Sequence, residues 1–555
     1  MGVCLNPGNR GFRTILNGTY VDKTGLIDFV NRTINTPQKL TSFSRPRRFG
    51  KSFAAKMLCA YYDKSCDSRS LFEGLEISKK DSFERYLNKY DVIYLDITRF
   101  ISTAVSVKDV VDNIQKNVIE ELREKYPSYI KEQENVLADA LFAVSHKTGN
   151  QFIFIIDECD ALFREAKDDI ALQKEYIQFL RGLFKGGTAT DETIAAAYMT
   201  GILPTKKYGT ESALTDFREY SMVTPKRLAE YIGFTEDEVK HLCDEHQMDF
   251  DEMQSWYDGY SFSRMQHVYS PNSVMNAIQE EEIQNYWPQT ESFESLKKYI
   301  EINRDGLKDA IVLMLGGQRV YVDINTFQND ITSFENKDDV LTLLIHLGYL
   351  AYDQKKKEVY IPNQEVAEAF RSAVKGERWK LVEQAINNAE GLLDATLRQE
   401  SDTVAQALEK VHEECSSVLT YNDENSLACA IYIAYYTAKN YYKIIRELPS
   451  DGNAPSHSFG GKSESPIESL RDGATPGKGF ADYAFLPGRD TDKPAMIIEL
   501  KYDKDADTAI RQIHENRYSG DLKKYFGNLL LVGINYDKDA KGANAKKHSC
   551  VIEKV

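Results

Sequence analysis

The sequence predicts a multidomain α/β protein of 555 residues, and three observations predict it. The first is an apolar-leaning run, Leu40 to Phe43, that passes through Ser44-Arg45-Pro46-Arg47-Arg48-Phe49-Gly50-Lys51-Ser52 into a helical stretch from Phe53 to Tyr62. The second is the continuous apolar run Phe152-Ile153-Phe154-Ile155-Ile156, the pattern of a fully buried strand, which ends in Asp157-Glu158-Cys159-Asp160. The third lies near the C-terminus. Two apolar runs, Phe480 to Leu486 and Pro494 to Leu500, carry Asp482 and Glu499-Leu500-Lys501, and a helix and further strands follow them. A chain this long has room for roughly two to four domains with ample cores.

Composition narrows the function classes. The formal net charge is −16, which opposes unselective affinity for nucleic acid. Any DNA contact is expected to be local, through clusters such as Arg45, Arg47 and Arg48. The eight cysteines contain no Cys-x-x-Cys pair, so they read as reduced thiols of a cytoplasmic protein. Nine histidines without a His-x-x-x-His pair argue against a zinc hydrolase, and the absence of Gly-x-Ser-x-Gly removes support for an esterase. No apolar run approaches the ~18 residues of a membrane span, and no signal-peptide pattern opens the chain. The opening Met1-Gly2-Val3-Cys4-Leu5-Asn6 has Asn6 where a myristoylation site wants Ser or Thr.

Strand, loop, Gly-Lys-Ser, helix is the layout of a P-loop. Backbone N–H groups at the helix start cradle phosphates, the lysine reaches the β/γ oxygens and the hydroxyl holds Mg²⁺. Arg48, Phe49, Gly50, Lys51 and Ser52 are therefore candidate ATP-binding residues. The first glycine of GxxxxGK[ST] should fall at position 45, which is Arg45 here. In P-loop ATPases the first acidic residue after an apolar strand such as Phe152–Ile156 contacts Mg²⁺, and the second activates the attacking water. Asp157 and Glu158 are expected in those two roles. Val92 to Ile97 is a further strand between the two motifs, and Ile194 to Met199 a fourth. The latter ends at Thr200-Gly201, where Thr200 could sense the γ-phosphate. Arg218 or Lys206 is the candidate for an added charge.

The middle of the chain is mostly helical in pattern. Pro225 to Ile232 and Thr235 to Glu245 are amphipathic stretches suited to a lid. Trp256-Tyr257-Asp258-Gly259-Tyr260 reads most simply as a packed turn. Asp338 to Leu350 is a helix running into a strand. Lys355-Lys356-Lys357 is then a charged turn, Val359 to Ile361 a strand and Glu365 to Val374 a helix. That order is winged-helix-like, with a basic tip that could touch DNA. Lys380 to Leu448 is helical again and crowded with Tyr432, Tyr435, Tyr436, Tyr441 and Tyr442.

At the C-terminal end, Phe480 to Leu486 and Ala495 to Leu500 are separated by the turn signal 487–492. An amphipathic helix is expected from Ala506 to Tyr525, a buried strand over Asn528 to Ile534 and a short one over Ser549 to Ile552. Two carboxylates and a lysine at adjacent strand ends are what metal-assisted phosphodiester cleavage needs. The carboxylates hold a divalent cation that activates phosphate and water, and the lysine sits where negative charge builds up. Glu-x-Lys alone is uninformative, since Glu165-Ala166-Lys167 and Glu238-Val239-Lys240 repeat it. Those two lie in polar, helix-like stretches. The plainer reading has Asp482 capping a turn and Glu499–Lys501 as a surface pair on an edge strand.

This hairpin, helix and strand pair resembles the core of PD-(D/E)XK nucleases. The segment is similar to the nuclease half of a bacterial family that joins an AAA-ATPase-like domain to such a nuclease. The Arg-Pro-Arg-Arg-Phe-Gly-Lys variant, the Thr200 to Lys207 run and the runs at 256–260, 269–273 and 547–550 carry the same resemblance. It implies an AAA-like P-loop domain over 1–224, a helical lid and winged-helix-like region over 225–375, and a restriction-endonuclease-like α/β domain over 376–555. It also implies Asp482 and Glu499 as metal ligands, Lys501 as the water-orienting or charge-stabilising base, Glu447 as the upstream acid and Gln512 near the site. In the family, Arg446-Glu447-Leu448-Pro449-Ser450 leads almost directly into Gly-Lys-Gly-Phe-Ala-Asp. Here residues 451–476, rich in Gly, Ser, Pro and Asp, intervene as a flexible insert, and Glu468 or Asp472 could substitute for Glu447. The expected cofactors are ATP and Mg²⁺, with Mn²⁺ as a substitute. The expected partner is nucleic acid, DNA before RNA, with no membrane. AAA-like ATPases often set one subunit's charge at another's nucleotide, so a homo-oligomer is a candidate assembly. The alternative function is a nucleotide-gated interaction switch whose nuclease fold binds without cutting, which a salt bridge filling Glu499 would favour.

Overall fold

A computed structural model of the protein describes residues 2–185, 187–204, 214–231, 233–287, 293–302, 306–327, 334–375, 379, 389–416, 431, 433–435, 438, 441–449, 480–488, 491–516, 525, 527–537, 540 and 547–555. They fall into two units, Met1–Asp305 with Val320–Ala369 and Gly306–Arg319 with Phe370–Val555. No helix among the described residues is long and apolar enough to cross a membrane.

The first unit is built on a parallel sheet of β1 (Leu40–Ser44), β2 (Asp91–Asp96), β3 (Phe152–Asp157), β4 (Ile194–Gly201) and β5 (Arg218–Tyr220), in the order β2-β3-β4-β1-β5. Parallel strands need crossovers and are covered on both faces, so they read as continuous apolar runs. That is why β3 and β4 are buried at every position. Helices Val110–Lys125, Leu137–Thr148 and Ile170–Phe184 supply much of the apolar cover. In sequence the strand at 91–96 lies between the two motifs, but in the sheet it is an edge, outside β3. The strand that separates β1 from β3 is β4. Its side-by-side pairing with both brings Thr200 between the P-loop and the acidic strand end.

Downstream, Lys226–Tyr231 is a 3₁₀ helix rather than an amphipathic α-helix. Helix Glu236–His246 starts with a capping box between Thr235 and Glu238. It packs with helices Phe250–Tyr257 and Pro271–Glu280 around Val239, Met253, Tyr257 and Val274. A three-stranded antiparallel sheet joins them, made of β6 (Phe234–Thr235), β7 (Tyr260–Phe262) and β8 (Met265–Tyr269). The 256–260 run is the end of helix Phe250–Tyr257, a tight Asp258-Gly259 connection and the start of β7. Gly259 has φ +122, and a Cβ there would lie 1.9 Å from the Pro362 carbonyl oxygen, so only glycine fits. Helix Lys337–Leu347, β10 (Ala351–Asp353), the Lys355–Lys357 turn and β11 (Glu358–Tyr360) follow the expected order, and β9 (Val320–Tyr321) adds a third strand. Helix Gln364–Ala373 comes next.

The second unit carries a five-stranded sheet of β12 (Tyr442–Pro449), β13 (Phe480–Pro487), β14 (Ala495–Tyr502), β15 (Leu529–Tyr536) and β16 (His548–Lys554), in that order. Only β14 and β15 pair in parallel. Helix Ala506–Asn516 lies on one face against Ala495, Ile497, Leu529 and Leu531. Within this unit Tyr435 and Tyr442 pack on Phe485, so these tyrosines are core, whereas Tyr441 is exposed. Tyr432 and Tyr436 lie outside the described residues. The helical reading of 380–448 holds for Ala389–Leu397 and Ser401–Ser416 but fails from Tyr442 on. There β12 hydrogen-bonds to β13 as an edge strand, and strand pairing outweighs the helix pattern read locally. The 451–476 insert lies outside the described residues.

Candidate functional sites

The loop after β1 is held by packing where a standard P-loop has glycine. Arg45 is 2% exposed. Its guanidinium stacks 3.5 Å over the Phe43 ring and donates to the Phe49 carbonyl at 3.4 Å. Burial pushes it down to about 9. Arg48 (φ +60) and Gly50 (φ +77) adopt left-handed conformations that turn the chain into helix Lys51–Tyr62. Lys51 is buried. Its ammonium donates to the carbonyls of Arg45 (3.1 Å) and Pro46 (2.9 Å) and pairs with Glu158 at 3.2 Å.

The acidic strand end meets this loop. Asp157, 3% exposed, accepts a hydrogen bond from the Thr200 hydroxyl at 2.5 Å and is hydrogen-bonded by Ser52. Burial raises its carboxyl above the usual range, against those two hydrogen bonds. Glu158 has φ +51 and pairs with Arg164 at 2.6 Å. Burial works against its charge, but Lys51 and Arg164 overcome it and hold the carboxyl below its ordinary value. The expected residues Arg48, Phe49, Gly50, Lys51, Ser52 and Glu158 all line one cavity of about 830 Å³, a size that takes a small-molecule cofactor. Its far wall comes from Tyr20, Lys23, Phe234 and Met275. Arg218 is exposed on β5 and does not line it, and Lys206 lies outside the described residues.

In the second unit β14 is a central strand, so Glu499–Lys501 is not a surface pair on an edge. Glu499 is 2% exposed, and residues two apart on a strand share a face. Lys501 and Glu499 therefore stand together on the side of helix Ala506–Asn516 and pair at 2.9 Å. Tyr483 lies opposite Ile498, which brings Asp482 beside Glu499. Asp482 does not cap a turn: its Oδ2 accepts from the Leu500 amide at 2.7 Å. Gln512 donates to the Glu499 oxygen that Lys501 also holds. The other oxygen, Oε2, is buried and makes no hydrogen bond within ordinary geometry among the described residues. Burial first, then Asp482, pushes Glu499 up to about 7. Arg446 lies opposite Tyr483 and Leu448 opposite Ala481, which sets the backbone of Glu447 level with Asp482. The Glu447 side chain, Glu468 and Asp472 lie outside what is described. Among the described residues no group of three or more His, Cys, Asp or Glu converges as a metal site.

Residues 8–210 match the family model AAA-ATPase-like, described as a predicted AAA-ATPase. The N-terminal region is an AAA-ATPase-like P-loop domain. Among curated proteins, none matches the chain. Structural likenesses include the Aeropyrum pernix ORC2 protein in ADPNP–ADP complexes (10% identity, 66% of this chain and 98% of that one, TM-score 0.25). They also include C. elegans PCH-2 (11%, 43% and 50%, TM-score 0.20) and AMPPCP-bound DnaA from Aquifex aeolicus (11%, 60% and 80%, TM-score 0.21). TM-scores this low carry no argument about this chain.

Sequence reasoning missed two supports of the AAA-ATPase-like domain. Asp160, fully buried, accepts from the Ile202 and Leu203 amides at 3.1 and 3.0 Å and pairs with Arg164 at 3.1 Å. It thus ties the end of β3 to the end of β4. Lys23 pairs with Glu238 at 2.6 Å and donates to the Glu230 carbonyl at 2.8 Å, joining the cavity's N-terminal wall to the helix at 236. An acidic residue three beyond Asp157 was a visible signal for the first. Nothing local in the sequence pointed to the second.

Proposed function

We propose that the protein is an ATP-binding and ATP-hydrolysing enzyme. Its second unit is a Mg²⁺-dependent nuclease of PD-(D/E)XK type, with nucleotide state coupled to recognition or cleavage. The observation that carries the nuclease reading is the orphaned, buried Oε2 of Glu499 beside Asp482. A buried carboxylate oxygen with no donor is costly unless a cation takes it. Lys501 and Gln512 fix the opposite oxygen and so hold the vacant one in place. Asp482 and Glu499 would hold the metal, with Glu447 in register to add a third carboxylate. When bound, Mg²⁺ (or Mn²⁺) supplies Lewis-acid activation of the phosphate and of a water. Lys501 would orient that water or face the charge that develops.

In the first unit, the 45–52 loop would cradle the phosphates and Lys51 would reach the β/γ oxygens. Ser52 and Asp157 are already joined where Mg²⁺ would sit, and Glu158 would take the proton from the attacking water. Thr200 holds Asp157 in place. The basic Lys355–Lys357 tip between β10 and β11 supports DNA as substrate, read by a winged-helix-like element, and the overall charge keeps that contact local. A homo-oligomer is a candidate assembly.

Two ion pairs favour a second reading. Lys51–Glu158 and Lys501–Glu499 each engage a carboxylate that catalysis needs, as in a nucleotide-gated switch that binds without cutting. Cleavage of labelled single- and double-stranded DNA and RNA with Mg²⁺ or Mn²⁺ separates the two. Cleavage lost in Lys501→Ala supports the enzyme; no cleavage of any substrate, with ATP bound, supports the switch.

A further inference from the structure

Two of the loop's arginines, Arg45 and Arg48, have separate jobs. Arg45 is buried and structural, as its stacking on Phe43 and its bond to Phe49 show. Arg48 is the opposite: it is exposed, lines the cavity beside Lys51 and Ser52, and makes no hydrogen bond or ion pair among the described residues. Its backbone sits at φ +60, which is unfavourable for a residue with a Cβ and is met most easily by glycine. A position whose backbone suits glycine but which carries a long cation in the phosphate cavity points to a use for the cation. Meanwhile the Lys51 ammonium is already committed to Glu158 and to two carbonyls.

We propose that Arg48 reads the terminal phosphate of the bound nucleotide from within the same chain, so that the site distinguishes a nucleoside triphosphate from a diphosphate. This rests on the ATP-binding reading above. A guanidinium donates to phosphate oxygens in a fixed fork. Supplied from the loop itself, it would do the work of the arginine that other P-loop enzymes receive from a partner. The charge that favours the triphosphate then does not depend on a second subunit.

The test is equilibrium binding of the full chain to AMP-PNP and to ADP with Mg²⁺, for the wild type, Arg48→Ala, Arg48→Gly and Arg48→Lys. Arg48→Gly removes the guanidinium while easing the backbone, and Arg48→Ala removes it without that relief. The expected result is AMP-PNP affinity reduced about tenfold or more in both, as for a lost charged hydrogen bond. ADP affinity should stay within about twofold, and Arg48→Lys should be intermediate. Equal losses for both nucleotides, or none for either, would overturn the proposal while leaving ATP binding standing. A wild type that binds neither nucleotide would overturn the ATP-binding reading and this inference with it.

Discussion

Glu499 is shut away from water next to a second carboxylate, so its ionisation is opposed until a cation arrives. Its ordinary value is 4.5 and its folded value about 7. A carboxyl raised on folding favours the folded state fully below 4.5, and that contribution is lost as pH climbs through about 7. The metal-free protein should therefore lose stability between about pH 4.5 and 7. Glu499→Gln should flatten that slope and stabilise the metal-free protein at pH 8 by on the order of 2 kcal/mol. Urea denaturation at several pH values checks this, and an unchanged slope would assign it to another group. In the wild type, Mg²⁺ should raise the melting temperature of the second unit more at pH 8 than at pH 6, because the ion must displace a proton at the lower pH. At the first site Thr200→Val removes the donor to buried Asp157. The expected cost is about 1–3 kcal/mol, with weaker Mg²⁺-nucleotide binding, read by calorimetry.

Elements put these residues in place, and close approach is what aims them. Gly533 on β15 pairs with Glu499, and a Cβ there would lie 2.5 Å from the Ala506 carbonyl oxygen. That clearance lets helix Ala506–Asn516 settle low enough for Gln512 to reach Glu499. Gly533→Ala should cost about 1–3 kcal/mol and slow any cleavage while sparing nucleotide binding. Thermal unfolding and the two activities measured side by side would show it; an equal fall in both activities would contradict it. Asp160→Ala strands the Ile202 and Leu203 amides and should cost roughly 2–4 kcal/mol, with nucleotide binding lost as the β3 and β4 ends separate. The strands that position both sites were legible because a fully buried strand is a continuous apolar run. Helix Lys51–Tyr62 was legible because Gly-Lys-Ser marks its start. β12 was not, because Tyr442–Pro449 follows a helical pattern without a turn signal and gains its strand character from pairing with β13. The support that lets Arg45 replace a glycine was also invisible, since stacking on Phe43 and a bond to Phe49 are packing facts with no fixed sequence signature.

At the scale of the whole molecule, the chain divides into two units, each holding one cluster of candidate groups. The AAA-ATPase-like domain shares its cavity with Phe234 and Met275 from beyond residue 210. Nucleotide binding should therefore order more of the first unit than the P-loop domain alone. Differential hydrogen exchange should show protection extending to 231–238 and 271–279 when AMP-PNP is added. Protection confined to the loop and helix Lys51–Tyr62 would contradict it. The order of the strands and the place of both strand-end motifs were legible in sequence, because such motifs declare themselves locally. The sharing of the cavity by distant segments was not, because it depends on tertiary contacts such as Lys23 with Glu238. The central claim is a nuclease whose action answers to nucleotide, and the most direct measurement is the cleavage rate with Mg²⁺, with and without ATP, in wild type and Lys51→Ala. The account predicts that ATP changes the wild-type rate several-fold and leaves the Lys51→Ala rate unchanged. Cleavage indifferent to ATP in both proteins, or no cleavage by either, would contradict it.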